Sequence, residues 1–196
     1  RYYNPGDKVP ANYQLLLTFK DESFLVFTVA MYGFISAYPD AVIDNKYYTI
    51  SRESISPLSD AYTEAEFEKL FAFAKKTLTA KALLATEQRI PGVGNGVTQD
   101  ILFNAGIHPK QKVIDLSDGQ KGVLFKSLKD TLMAMTSGRG RDTQTDLYGN
   151  EGGYKTILSS KTWKNPCPRC GSVIVKEAYL GGSVYYCSEC QKIRKT

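Results

Sequence analysis

Cys167-Pro-Arg-Cys170, sixteen intervening residues and Cys187-Ser-Glu-Cys190 place every cysteine of the chain in two matching pairs. This is zinc-ribbon spacing. Zn2+ accepts four thiolates tetrahedrally and imposes no geometry of its own. Two Cys-x-x-Cys knuckles approaching from opposite sides therefore close a structural site with no open position for substrate. The expected cofactor is one zinc ion per chain, holding a fold rather than doing chemistry. Between the knuckles, Val173, Ile174 and Val175, a turn near Gly181-Gly182, and Val184, Tyr185 and Tyr186 read as a β-hairpin. A hairpin this small needs a staple. Two disulfides in a secreted protein, or a redox Cys-x-x-Cys, are the alternatives; the spacing and the lack of a signal-peptide pattern favour zinc.

Working outward, the ribbon also carries the charge. The net charge is +5, yet residues 161–196 hold seven Lys or Arg against two Glu, leaving 18 against 18 in residues 1–160. A basic tail of this kind suits a phosphate backbone, and a solvated tail is the plainer alternative. No apolar run reaches the roughly 18 residues of a membrane span. Arg1-Tyr-Tyr-Asn-Pro5 resembles neither a signal nor a natural start, so the sequence reads as a fragment of a non-membrane protein.

Residues 13–38 read as a long hairpin, Tyr13–Phe19 and Phe24–Tyr38 around a polar turn, with Tyr47–Ile50 a further strand. Pro57 and the polar run to Asp60 mark a boundary. Thr63-Glu-Ala-Glu66 is a capping box for a helix over Glu64–Lys76, and a short helix over Ala80–Ala85 follows. Gly92, Gly94 and Gly96 then precede a helix over Val97–Ala105, a combination that brings backbone N–H groups close to an anion. A glycine-rich turn without a ligand is the alternative. Gly106 caps that helix, Ile107-His108-Pro109 turns tightly with His108 as a turn-fixing hydrogen bonder, and Ser117-Asp-Gly-Gln120 caps a last helix striped by Leu124, Leu128, Leu132 and Met135.

Three motifs, Gly92-Val-Gly-Asn95, Leu102-Phe-Asn-Ala-Gly-Ile-His-Pro109 and the four-cysteine ribbon closed by Cys190-Gln191, resemble in order and spacing the formamidopyrimidine-DNA glycosylase and endonuclease VIII family. The resemblance covers residues 80–110 and 165–191, and residues 13–60 as the end of an N-terminal β-sandwich. It implies an α+β fold in three parts. These are a β-sandwich remainder over 1–57, a helix-two-turn-helix domain over 58–160 and a zinc-ribbon finger over 161–196. It also implies a monomeric base-excision repair enzyme of the bacterial cytoplasm and nucleoid, with DNA glycosylase and abasic-site lyase activity on damaged double-stranded DNA. In such enzymes an N-terminal proline, followed by glutamate, attacks the sugar C1′ of a flipped-out nucleotide. The chain begins with Arg1-Tyr2, so the expectation is a nucleophile upstream and no reaction by these residues alone.

By the same resemblance, Asn95 and Lys81 match family contacts to the phosphates flanking a lesion, Gly94 lies in the same turn, and Asp100 stands where a glutamate supports the active site. Other positions depart. Val97 replaces a tyrosine, Ala30 an arginine that fills the gap left by the flipped base, and Gly182 an arginine that grips phosphates. Arg139, Arg141 and Lys176 are candidates to carry that basic load, with solvated surface as the alternative. Residues 143–153 have the length and flexibility of a loop that orders over an extruded base. A noncatalytic binder of damaged DNA is the alternative function, favoured by Ala30, Val97 and Gly182.

Overall fold

The computed structural model describes residues 1–194 apart from 30–32, 34, 40, 41 and 73. The N-terminal region forms a three-stranded antiparallel sheet, ordered β1-β3-β2, from Tyr2–Tyr3 (β1), Leu15–Thr18 (β2) and Phe24–Phe27 (β3). Phe24 and Val26 are buried while Leu25 and Phe27 are half-buried, the period-two alternation of a sheet covered more on one face. Tyr3 stacks on Phe24 at 4.9 Å.

Two N-terminal expectations are corrected. Among the described residues the hairpin ladder runs from Leu15 opposite Phe27 to Thr18 opposite Phe24, and residues 30–32 and 34 of the expected second strand lie outside them. Beyond the ladder the Gln14 side chain accepts from the Val29 N–H at 2.7 Å, so a side chain takes the place of the next rung. Tyr47–Ile50 is not a strand but part of a helix, Lys46–Glu53 (α1). Asn45 starts it, its side chain accepting from the Tyr48 N–H at 3.1 Å and its carbonyl from the Thr49 N–H. With no strand among the described residues alongside to complete a ladder, this local cap overrides the aromatic and β-branched preference of the segment. Ala30 lies outside the described residues.

The helical region follows its sequence signals closely. Helix α2, Glu64–Ala72, ends short of Lys76. Thr63 accepts from the Glu66 N–H, but the Glu66 carboxylate turns to Lys69 at 2.5 Å instead of closing the box. Helix α3 spans Ala80–Ala85 and α4 Asn95–Ala105, two residues earlier than expected because Gly94 is the N-cap. Gly106, at φ 66°, ends α4 by donating to the Leu102 and Phe103 carbonyls. A 3-10 turn over Val113–Asp115 leads to α5, Asp118–Ser137, opened by a reciprocal Ser117/Gln120 capping box. The hairpin of Ile174–Tyr179 (β4) and Gly182–Cys187 (β5) follows. Among the described residues no helix is long and apolar enough to cross a membrane.

Helix α4 belongs to two cores at once. Ile101 and Leu102 pack with Phe67, Leu83, Leu84, Ile90, Leu124 and Leu128, all buried. Phe103, one residue on, packs with Leu158, Ile174 and Tyr185 beside Cys167 and Cys187. Each such side chain contributes about 1.5–3 kcal/mol when removed from water. The consecutive residues 101–103 thus seat the hairpin on the helical region.

Candidate nucleic-acid interface and metal centre

The four cysteine sulfurs lie within 4.8 Å of one another. Cys167 Sγ is 3.8 Å from Cys190 Sγ, and Cys170 Sγ is 3.5 Å from Cys187 Sγ. A tetrahedral site with Zn–S bonds of about 2.3 Å has sulfurs about 3.8 Å apart, so the donor set and its size fit a structural metal. The two knuckles are built alike: the Cys167 carbonyl accepts from the Gly171 N–H at 2.8 Å, and the Cys187 carbonyl from the Gln191 N–H at 2.9 Å. Hydrogen bonds with Ser172 hold the Cys170 thiol down at about 6, while burial, then the other thiols, push Cys190 up to about 12. Four thiols this close resist ionising together, and a cation at their centre removes the conflict.

Side-chain amides fix the ribbon to the helical region. Gln191, fully buried, accepts from the Cys187 N–H at 3.0 Å and donates to the Ile107 carbonyl at 3.0 Å. Gln99 on α4 donates to the Ser183 carbonyl and accepts from the Tyr185 N–H, both at 3.1 Å, pairing with the edge of β5 as a neighbouring strand would. Gln111 makes a similar two-way pair with the Arg194 main chain. His108 fixes its turn by accepting from the Lys110 N–H through Nδ1 at 3.0 Å, and its ring meets Tyr186 edge-on. Burial lowers the His108 pKa. Gln99 and Gln111 carry no motif signal; the register of β5 against α4 reveals the first, and the return of the chain past the ribbon to Arg194 the second.

The candidate DNA-binding residues fall into distinct environments. Asn95 opens α4 and donates from Nδ2 to the Ser183 carbonyl at 3.0 Å, so it faces the ribbon. Gly94 is the N-cap, without a side-chain cap to cover the first helical N–H groups. Of the three glycines, Gly92 holds φ 82° and Gly96 is overlaid by the Arg141 guanidinium. Lys81 is 1% exposed, its amine donating to the Tyr179 carbonyl beneath the ribbon, and burial lowers its pKa. Its charge is therefore covered in this structure. Lys176 is exposed with its amine 5.0 Å from the centre of the Trp163 ring.

Asp100 is fully buried and accepts from the N–H groups of Ile157, at 3.0 Å, and Leu158, at 2.8 Å. Burial raises its pKa against those two bonds, which lower it. It ties the segment before the ribbon to α4. Val97, Leu132 and Met135 line a cavity of about 360 Å3 rimmed by Arg139 and Arg141. Arg139 is exposed at φ 55°. A second cavity, of about 190 Å3, gathers Asn95, Gly96, Gln99, Arg141 and Ser183.

The loop expected to be flexible over residues 143–153 is internally bonded. The Asp146 carboxylate accepts from the N–H groups of Tyr148 and Asn150, and the Gly152 N–H donates to the Gln144 carbonyl. Its tip rests on the N-terminal sheet, with the Tyr2 N–H donating to the Leu147 carbonyl at 2.9 Å and Tyr2 meeting Tyr148 edge-on.

An α+β chain in which a helix start, a basic loop and a four-cysteine hairpin converge is the architecture of DNA-repair glycosylases of the formamidopyrimidine type, and comparison bears this out. No protein-family model matches the chain. It is 31% identical over 139 residues to the formamidopyrimidine-DNA glycosylase of Carboxydothermus hydrogenoformans, a match covering 69% of this chain and 52% of that one. With the Shouchella clausii enzyme of the same name it shares 26% over 193 residues, 96% of this chain and 69% of the relative. Among solved structures, the MutM (Fpg) protein of Thermus thermophilus superposes with a TM-score of 0.72 at 22% identity, covering 95% of this chain and 71% of that one. Lactococcus lactis Fpg in complex with abasic-site DNA gives a TM-score of 0.73 at 25% identity, covering 98% and 70%. The chain belongs to the formamidopyrimidine-DNA glycosylase family. It spans about half the length of the first curated relatives it matches.

Proposed function

We propose that this chain grips damaged duplex DNA and serves a base-excision glycosylase with abasic-site lyase activity. The observation that carries the proposal is the meeting of Asn95, Arg141 and the β5 edge around one cavity, beside the open helix start at Gly94. Amide and guanidinium donors are suited to phosphate oxygens, and such contacts position a duplex without reading its sequence. The helices over 58–160 act as the helix-two-turn-helix domain and residues 161–196 as a finger held by structural zinc. Residues 1–57 are the remainder of a β-sandwich. The protein works as a monomer in the bacterial cytoplasm and nucleoid.

In this reading Asn95, Gly94, Arg139, Arg141 and Lys176 contact the backbone, and Lys81 joins them once the Tyr179–Leu180 end of the hairpin moves aside. Asp100 supports the site by holding Ile157 and Leu158. An amine nucleophile attacks C1′ of the extruded nucleotide, the base leaves, and the Schiff base permits elimination of the strand. A second reading, a noncatalytic binder of damaged DNA, is favoured by Val97 and by the bare Cα at Gly182. Borohydride trapping on a duplex with an abasic site, using the natural gene product, separates the two. A covalent adduct is expected. Binding that weakens steeply with salt but leaves no adduct favours the second reading, and no binding at low salt overturns both.

A further inference from the structure

Arg141 occupies an unusual place for a charged side chain. A Cβ built on Gly96 would meet its guanidinium Nη1 at 2.2 Å, so the group lies directly on the first turn of α4. Arg141 takes part in none of the ion pairs between described residues. Asp100, the buried acid nearby, has its two oxygens occupied by the N–H groups of Ile157 and Leu158. A half-buried guanidinium is thus held beside Asn95 with donors to spare. The loop that delivers it is pinned where its two arms meet, with Asp142 N–H donating to the Tyr154 carbonyl at 2.9 Å and Tyr154 N–H to the Gly140 carbonyl at 3.0 Å.

Position 182 addresses the same spot from the opposite side. A Cβ there would sit 3.1 Å from Asn95 Nδ2, so any side chain at 182 starts over the Asn95 amide. As glycine, the position leaves that amide and the neighbouring guanidinium uncovered. We propose that Arg141 and Gly182 work as one unit, the loop after α5 supplying the guanidinium that grips a backbone phosphate and the bare Cα of the hairpin keeping its approach open. This rests on the DNA-binding reading and specifies which element provides the charge. It also makes the grip depend on the loop, whose tip contacts the N-terminal sheet.

The test measures binding to an abasic-site duplex across a salt series. Arg141→Ala is expected to weaken binding roughly tenfold for every sequence, the scale of one charge-assisted hydrogen bond. The log–log salt slope should fall by about 0.9, one phosphate contact fewer. Gly96→Ala, which removes no charge, should reproduce part of the loss by pushing the flexible guanidinium aside, and it guards against a folding defect in the first variant. Gly182→Arg in the Arg141→Ala background should restore both affinity and slope, because the new side chain reaches the vacated place. An unchanged slope in Arg141→Ala, or no rescue by Gly182→Arg, overturns the pairing. If Asn95→Ala still weakens binding, the DNA-binding reading survives that result; if the parent chain shows no salt-dependent binding at all, the DNA-binding reading itself has failed.

Discussion

The two ends of this molecule are held by different means. At the α4–ribbon joint, buried amides of Gln99 and Gln191 pair with main-chain groups of the hairpin and of the Ile107 turn, over a core that includes Phe103 and Tyr185. In the N-terminal region, α1 has no buried residue and the sheet is carried by strands of two, four and four residues. One end is fixed by buried, long-range, fully paired contacts; the other by short ladders, a cap and the contact of Tyr2 with the 147–148 tip. The contrast teaches where mutations should act globally and where only locally, since cooperative stability follows buried apolar contact.

Removing the metal should have the largest effect. Cys187→Ser deletes one of four ligands from a site whose counterparts in zinc peptides bind with about 10–16 kcal/mol, energy that is folding energy. The hairpin should melt and metal content should fall from one per chain towards zero. Helices α2 to α5 should keep their circular dichroism, because Phe67, Leu84, Leu124 and Leu128 make a core without the ribbon. The joint sharpens this expectation: freed of Gln191, the Ile107 carbonyl loses its partner and the turn at Gly106 should exchange its amide protons faster. A metal assay still near one ion per chain would sink the prediction.

Asp100→Ala tests the same joint through its polar half. The substitution strands two N–H groups, those of Ile157 and Leu158, the second fully buried. Each such orphan costs about 1–3 kcal/mol, so urea denaturation should show a loss of about 2–6 kcal/mol at unchanged slope. A loss under about 0.5 kcal/mol, the range of ordinary surface substitutions, would mean that water replaces the carboxylate and that the joint is looser than its hydrogen bonds imply.

How much of this was legible in the sequence depended on whether the signal was stereochemical or long-range. Cysteine spacing, the αL cap at Gly106, the Ser117/Gln120 box and the short helix at Ala80–Ala85 each follow from what a few adjacent residues must do, and each stands where it was read. The buried state of Lys81 depends on a carbonyl 98 residues further along the chain, and the strand-like pairing of Gln99 on one 84 residues further, with no local trace of either. Residues 143–153 looked flexible because glycine and polar residues dominate them, yet Asp146 and the contact with Tyr2 fix their shape. At Tyr47–Ile50 the aromatic and β-branched content pointed to a strand, and a single residue upstream, Asn45, decided for a helix.

That residue gives the smallest and most local prediction. Helix α1 has no fully buried residue and only eight residues, so it lacks both the packed apolar face and the length that sustain helices in water. What remains is its start. Asn45 accepts from the Tyr48 N–H through Oδ1, and the helix is further tied by the Ser51 hydroxyl donating to Gln88 Oε1 at 2.9 Å. Asn45→Ala should cost about 1 kcal/mol, the usual worth of an N-cap. The loss should fall on α1 itself: amide exchange rises from Lys46 to Glu53, while the global unfolding midpoint and the ribbon's metal content stay put. Asn45→Asp should preserve the cap. A fall in the global midpoint comparable with that of Asp100→Ala would show α1 to be coupled to the main core, and the division between a cooperatively held joint and a locally held N-terminal region would no longer stand.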